Sequence, residues 1–271
     1  MPEYRDAGDG EESTAGHTRS GGQDERTWVT EILAEATSSV TDADATLGEA
    51  GRSIREAQAQ LCRACVNLLS VTGASISIAG SMGVRATWCA SDPTAARLAE
   101  AQYTLGGGPC QSALDAVAPV FAPDLTRGSD VRRWPFFAQQ AIELGVKAAF
   151  SLPLGSSVLA IGTLDLYRTT PGRLSDRDLR IALLACDAIT FTVLKLHSGS
   201  DAANDGGVAS WLDAAEADHD EVHLAVGMVM IQLNVDPQQA LDRLRARAFA
   251  QSRTVTEVAR DVVARTARFH D

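Results

Sequence analysis

The chain has 271 residues, 45% hydrophobic and 22% charged, with a formal net charge of −11. That balance supports one or two compact globular units and excludes fibrous and wholly disordered classes. No basic stretch followed by an apolar core opens the chain, and the most apolar later run, IALLACDAITFTVLKL, is interrupted by Asp187 and ends at Lys195, so neither export nor a membrane span is expected.

In chain order, residues 1–26 combine Gly, Ser, Thr and acids with almost no apolar content, a composition that cannot offset its ordering entropy and predicts a disordered acidic tail. Residues 27–49 form a poorly defined N-terminal segment, helical near TWVTEILAEATSSV. In SIREAQAQLCRACVNLLSV, Ile54, Leu61, Cys65, Leu68 and Leu69 recur at helical spacing. ASISIAG and VRATWCAS, joined by SMG, read as a hairpin whose second strand alternates Val84, Ala86 and Trp88. Asp92 and Pro93 start a helix as cap and first residue. PVFAP is a short strand, and WPFFAQQAIELG is a helix stopped by Gly145. KAAFSLPLG and VLAIGTLDLY form a second hairpin, and Ser175 caps a long helix running through Lys195.

This order predicts an α+β unit over residues 50–197, an antiparallel sheet with helices on its faces. Residues 198–209 are small and polar, a linker or helix break. Residues 210–268 carry three helices and no strand. The first ends near Leu233; the second starts at Asp236-Pro237 with Gln239 at the capping-box place, and the third starts at Thr254 with Glu257 three residues on. A unit of about 55 residues is marginal alone, so it leans on its first helix, the preceding domain or a second copy.

Charge is unevenly divided. Residues 1–60 hold 13 acids and 5 bases, 61–207 hold 12 of each, and from Pro237 to His270 seven arginines face only Asp242, Glu257 and Asp261. An acidic total therefore does not exclude a basic face at the end of the chain. Arg243 and Arg247 lie one turn apart, Arg245 projects elsewhere, and Arg253, Arg260, Arg265 and Arg268 follow. Such a run is either a solvated basic face or a nucleic-acid contact, for which Arg suits bidentate phosphate binding and stacking on bases. Gly227, in mid-helix, costs about 1 kcal/mol relative to Ala and suggests close approach of another backbone or helix.

Enzyme chemistry is weakly supported. No histidine lies between residues 18 and 196, which removes Ser-His and Cys-His pairs and ordinary His-based metal sites from the α+β unit. The five cysteines form no short disulfide framework and are expected as reduced thiols; Cys62 and Cys65 read as small buried core residues rather than zinc ligands. LGGGPCQS precedes a short helix beginning near Gln111, where backbone N–H groups can receive an anionic or polar ligand. Cys110 there is either packed into the core by a tight turn or a helix-start thiol favoured by the dipole.

From residue 208, the ordered set Ala225, Gly227, Met230, Asp236-Pro237, Ala240, Leu244-Arg245, Ala248, Arg253, Val258-Ala259 and Val262 resembles an ANTAR domain, the three-helix RNA-binding module of transcription antiterminators. Ala248 departs from the serine that many members carry. LGGGPCQSALDAVAPVFAPDL, Trp134, and AAFSLPL through AIGTLDLY resemble a GAF sensor domain. Together the two resemble actinobacterial GAF-ANTAR transcription antitermination regulators.

The resemblance implies a GAF-like antiparallel sheet flanked by helices, followed by an all-α ANTAR domain. It implies a cytoplasmic, non-enzymatic regulator that binds paired hairpins in nascent RNA under control of the sensor domain. Arg245 and Arg253 match basic family positions, and helical geometry adds Arg243, Arg247, Thr254 and Arg260 as RNA contacts. The expected ANTAR packing core is Ala225, Gly227, Met230, Ala240, Leu244, Ala248, Val258 and Ala259. The pocket candidates are Gly108, Cys110, Gln111 and Trp134, for a small-molecule ligand whose identity is open. No cofactor, metal or membrane partner is expected, and no receiver-like acidic pocket indicates phosphotransfer control. A homodimer through the long helices 50–71, 175–197 and 210–233 is expected. Two alternatives stand beside this reading: a thiol redox enzyme using Cys110, as in small GAF proteins that reduce methionine sulfoxide, and a DNA-binding regulator.

Overall fold

The computed structural model of the protein describes residues 26–36, 50–80, 85–201 and 209–270. Of the tail expected to be disordered, all but Arg26 lies outside the described residues, as do 37–49 of the next segment.

Helix α1 (26–36) places Val29 and Leu33, four residues apart and so on one face, into the main core. Helix α2 (Ala50–Leu68) buries Leu61, Cys62, Cys65 and Leu68 in the same core. Strands β1 (Gly73–Ala79) and β2 (Arg85–Ala90) pair antiparallel. Helices α3 (Pro93–Leu105) and α4 (Pro109–Ala116) follow, then β3 (Val120–Ala122), α5 (Ser129–Arg133) and α6 (Pro135–Glu143). Strands β4 (Ala148–Gly155) and β5 (Ala160–Arg168) form the second hairpin, and α7 (Asp176–Asp201) closes the α+β unit. The sheet order is β2-β1-β5-β4-β3, with every pairing antiparallel.

Strand alternation gives the sheet two unlike faces. Ile76, Ile78, Phe150, Leu152, Leu164 and Leu166 pack against α1, α2 and α7 in a wholly apolar core. Their neighbours Ser75, Ser77, Ser151, Thr163 and Asp165, also buried, face the other way, toward α3 and α4. Beside this polar strip a separate apolar cluster of Leu98, Leu125, Trp134, Phe137 and Val146 holds α3, α4 and α6 to the β3–β4 side.

The helix starts are local. Asp92 accepts from the N–H groups of Thr94 and Ala95, and α3 ends at Gly106, whose φ of 62° is the left-handed cap conformation. Ser175 Oγ accepts from the Asp178 N–H at the start of α7. That helix runs on to Asp201, four residues into the expected linker; residues 202–208 lie outside the described set.

Helices α8 (Ala209–Leu233), α9 (Pro237–Ala250) and α10 (Val255–Val263) form a second core, centred on Val222, Ala225, Val226, Val229, Leu241, Leu244 and Val262. Both expected capping boxes are present, Asp236 with Gln239 and Thr254 with Glu257. Tyr103 of α3 is part of this second core. Among the described residues no helix is long and apolar enough to cross a membrane.

Two expectations change. A Cβ added at Gly227 would meet nothing within 4 Å among the described residues, so the glycine marks no close approach to any of them: it sits on the side of α8 turned away from α9 and α10. The cysteines are not all thiols, because Cys62 and Cys89 are joined in a disulfide while Cys65, Cys110 and Cys186 are free and buried. Helical spacing placed Cys62 beside Cys65 on α2, and only the folded sheet brings a strand cysteine to it.

Candidate functional site

The polar strip under α3 and α4 is a connected network. Arg85 Nη1 donates to Cys110 Sγ at 2.9 Å, and that sulfur lies 2.9 Å from Thr163 Oγ1. Thr163 in turn donates to Asp165 at 2.9 Å, and the Ser151 hydroxyl donates to the same carboxyl group. Burial pushes the Asp165 carboxyl above its ordinary range, against Ser151, Arg85 and Thr163, which favour its charge. Arg85 Nη2 and Ser77 Oγ find no hydrogen-bond partner among the described residues. A buried face of this kind is unusual, since an apolar face is less costly to desolvate.

Cys110 is the pivot of the strip. Its N–H donates to Gln102 Oε1 at 2.8 Å, tying the first turn of α4 to α3. Gly108 makes that approach possible: its φ is 150°, and a Cβ there would lie 2.6 Å from Gln102 Oε1. Burial pushes the Cys110 thiol up to about 12, with Arg85 opposing, so desolvation outweighs any helix-start effect and the group is a neutral thiol near neutral pH. The other pocket candidates lie apart from it. Gln111 donates to Asp115 on the outer side of α4, and Trp134 is buried in the neighbouring apolar cluster, where its ring nitrogen donates to Ser112 Oγ at 3.3 Å. Arg85, Gln102, Ser151, Thr163 and Asp165 were not singled out from sequence, although polar residues alternating with Leu and Ile in GTLDLY and ASISIAG are the mark of such a face.

The same α3–α4 joint carries the C-terminal helices. Arg245 Nε donates to the Tyr103 carbonyl at 3.0 Å, its guanidinium lies over the Tyr103 ring at 5.5 Å, and Asp242 is 3.5 Å away. Only 13% of that side chain is exposed. Burial lowers its pKa from the usual arginine value, so the charge gives up solvation for few partners. Gly106 lies beneath it, and a Cβ there would come within 3.2 Å of the guanidinium group. The Val255 N–H, at the start of α10, donates to Thr104 Oγ1 at 3.0 Å, and Thr256 Oγ1 donates to Glu100 at 3.1 Å. Two open clefts of about 510 and 830 Å³ flank the junction and share Phe136 and Phe249, whose rings meet edge to face with centroids 5.0 Å apart.

The remaining arginine candidates are spread over several surroundings. Arg243 is exposed and makes no hydrogen bond or ion pair with the described residues. Arg247 lies over the Phe269 ring at 4.0 Å and donates to the Arg268 carbonyl, and Arg253 is bound to Asp261 at 2.6 Å. Arg260 pairs with Glu221 at 3.1 Å while well exposed, and Thr254 is occupied as a helix cap. Of the expected packing residues, Ala225, Ala240, Leu244, Ala248, Val258 and Ala259 are buried together and Met230 packs at their edge, leaving Gly227 outside.

A family model described as GAF domain matches residues 51–193, and one described as ANTAR domain matches residues 212–263. No curated protein matches the chain. Among solved structures, the GAF domain of an Acinetobacter phosphoenolpyruvate-protein phosphotransferase is 9% identical with a TM-score of 0.40, covering 65% of this chain and 96% of that one. The GAF domain of a two-component sensor histidine kinase from Bacillus halodurans is 16% identical, with a TM-score of 0.39 and coverages of 50% and 89%. A type II free methionine-R-sulfoxide reductase from Thermoplasma acidophilum is 14% identical, with a TM-score of 0.36 and coverages of 51% and 92%. These likenesses assign neither a ligand nor a reaction to this chain.

Proposed function

The chain belongs to the GAF-domain family and carries a C-terminal ANTAR domain, and from that premise we propose that it is an RNA-binding transcription antitermination regulator whose GAF domain controls access to the ANTAR arginines. The architecture is that of a regulatory rather than a catalytic protein. The neutral, buried Cys110 thiol supports the same side of that division.

The observation that carries the reading is the engagement of Arg245 by α3. In the docked arrangement its guanidinium has one carbonyl and one more distant carboxylate as acceptors. A phosphate offers bidentate, doubly charge-assisted hydrogen bonds, so RNA competes favourably for this side chain once it leaves Tyr103. Arg243, without a partner among the described residues, can make first contact in the docked arrangement; Arg260 has only to exchange the half-buried Glu221 carboxylate for phosphate, and Arg253 to leave the Asp261 carboxylate and the Glu257 carbonyl. Single-stranded loop bases are the readable part of an RNA hairpin, and guanidinium planes stack on them.

Control passes through one loop. LGGGPC holds Cys110 in the polar strip at one end and Gly106 under Arg245 at the other, so displacing Cys110 shifts the seat of Arg245. A polar small molecule contacting Arg85 and Ser77 would act at that first end. The reading includes a homodimer. Leu224 and Ile231, 56% and 86% exposed, lie on either side of the open Gly227 on one face of α8, which suits close approach of a second α8.

The test is a gel shift of the full chain with a two-hairpin RNA at moderate salt. Binding that weakens with salt and is lost when the loops are scrambled is expected. Equal binding to the scrambled RNA, or displacement by duplex DNA at equal concentration, would overturn the reading.

A further inference from the structure

Four cysteines collect on the apolar side of the sheet. Cys62 and Cys65 lie one turn apart on α2, Cys89 on β2 and Cys186 on α7, all within one core. The Cys62–Cys89 disulfide spans 27 residues and ties α2 to an edge strand.

The strand is built to present that sulfur. In a regular strand, Cys89 and Trp88 would point to opposite faces. Between Ile76 and Ser77 the register shifts, with Ile76 opposite Cys89 and Ser77 opposite Thr87, so Trp88 is an extra residue. A bulge re-aims side chains, and here both Trp88 and Cys89 enter the core on the α2 side. Ala86 and Trp88 already supply β2 with an apolar face, so packing alone does not call for the irregularity.

Among the other neighbours of the linked strand, two lie outside this core. Arg85 of this strand donates to Cys110, the pivot of the polar strip, and α8 of the C-terminal helices packs against it. One edge strand thus touches the sulfur pair, the buried network and the first helix of the ANTAR domain.

We propose that Cys62–Cys89 is a reversible thiol–disulfide site, through which low-molecular-weight thiols set how firmly β2 is held to α2 and how α8 is seated on β2. A thiolate of the small reductant attacks Cys89 Sγ when the edge strand opens locally. The bond from that sulfur to Cys62 breaks, Cys62 leaves as a thiolate and takes up a proton, and a mixed disulfide remains on Cys89. A second small thiolate attacks the small-molecule sulfur of that mixed disulfide, and Cys89 leaves as a thiolate and is protonated in its turn. Two electrons pass from the two small thiols to the protein, and one small-molecule disulfide is released. Oxidation is the reverse reaction, with that disulfide as oxidant.

The neighbouring sulfurs stay out of the exchange. Burial pushes the Cys65 thiol up to about 12, and burial with the nearby Cys65 pushes Cys186 well above the ordinary thiol range, so neither is a thiolate near neutral pH. The site stands independently of RNA binding, since none of its readouts uses RNA.

The test equilibrates the full chain in mixtures of reduced and oxidised glutathione and traps free thiols with an alkylating reagent before and after denaturation. A second label then marks the cysteines recovered from disulfides, and peptide mass spectrometry maps them. One titrating pair, Cys62 with Cys89, is expected, while Cys65, Cys110 and Cys186 remain thiols throughout. On reduction, amide exchange of β2 and of the α8 turns facing it is expected to rise on the order of a hundredfold, the scale of losing one cross-link. The double variant Cys62→Ala with Cys89→Ala keeps an apolar pair and should show the fast exchange at every glutathione ratio. A pair that stays oxidised in excess dithiothreitol until the chain unfolds overturns the proposal. So does a pair that stays reduced in oxidised glutathione alone, or α8 exchange that is the same in both states.

Discussion

Glu100 shows how one side chain at the junction responds to its surroundings. It accepts from Thr256 Oγ1 at 3.1 Å, and burial raises its pKa above the usual carboxylate range, partly opposed by Thr256, Arg85 and Thr104. A carboxyl group with a raised pKa in the docked state binds its proton more tightly there than in the unfolded chain. Docking therefore gains stability below the ordinary carboxylate value and loses it as pH rises through the raised one. Glu100→Gln keeps an oxygen acceptor and removes the titration. Amide protection at the start of α10, corrected for intrinsic exchange, is expected to fall as pH rises through this window in the parent chain and to stay level in the variant. The same protection profile in both would mean that Glu100 does not govern docking.

Among the elements, α8 carries two different faces. Val222, Ala225, Val226 and Val229 hold it to α9 and α10, while Leu224 and Ile231 remain in solvent with Gly227 between them. Fully burying such a side chain is worth about 1.5–3 kcal/mol, so a self-associating face of this kind is sensitive to a single charge. Ile231→Glu is expected to move the sedimentation coefficient from dimer to monomer without altering the helical circular dichroism. A parent chain that sediments as a monomer at high concentration would remove α8 from the dimer reading.

At the scale of the molecule, the C-terminal core takes in Tyr103, a residue of α3 that is buried among the C-terminal helices. Tyr103→Ala removes the ring beneath Arg245 and leaves every candidate RNA residue intact. The docked state should lose population, and affinity for the two-hairpin RNA should rise on the order of tenfold. The salt slope should stay the same, because the phosphate contacts are unchanged. Thermal melting of the variant checks that the α+β unit still unfolds cooperatively. An unchanged or weakened affinity in a folded variant would argue against control by the junction.

Much of the fold is written locally. Asp92 with Pro93, Asp236 with Gln239 and Thr254 with Glu257 satisfy helix-start N–H groups within three residues, so those starts are readable without knowing what packs where. The two hairpins and the division of acids from arginines are local in the same sense, as is the alternation in GTLDLY. The partners of the arginines are not local. Arg243, Arg245 and Arg247 lie within five residues, yet one faces solvent, one Tyr103 and one Phe269, and the Tyr103 contact joins residues 142 apart in sequence. The disulfide follows the same rule: helical spacing marked Cys62 and Cys65 as core residues of one helix, while a bulge on an edge strand delivered Cys89 to the first of them. By itself the sequence determined helices, strands, caps and the sign of each segment's charge, because hydrogen bonds and side-chain periodicity act over a few residues. Only the tertiary structure decided which cysteines are joined, which arginine is held, and that LGGGPC links the buried polar strip to Arg245, because those depend on which distant surfaces exclude water from each other.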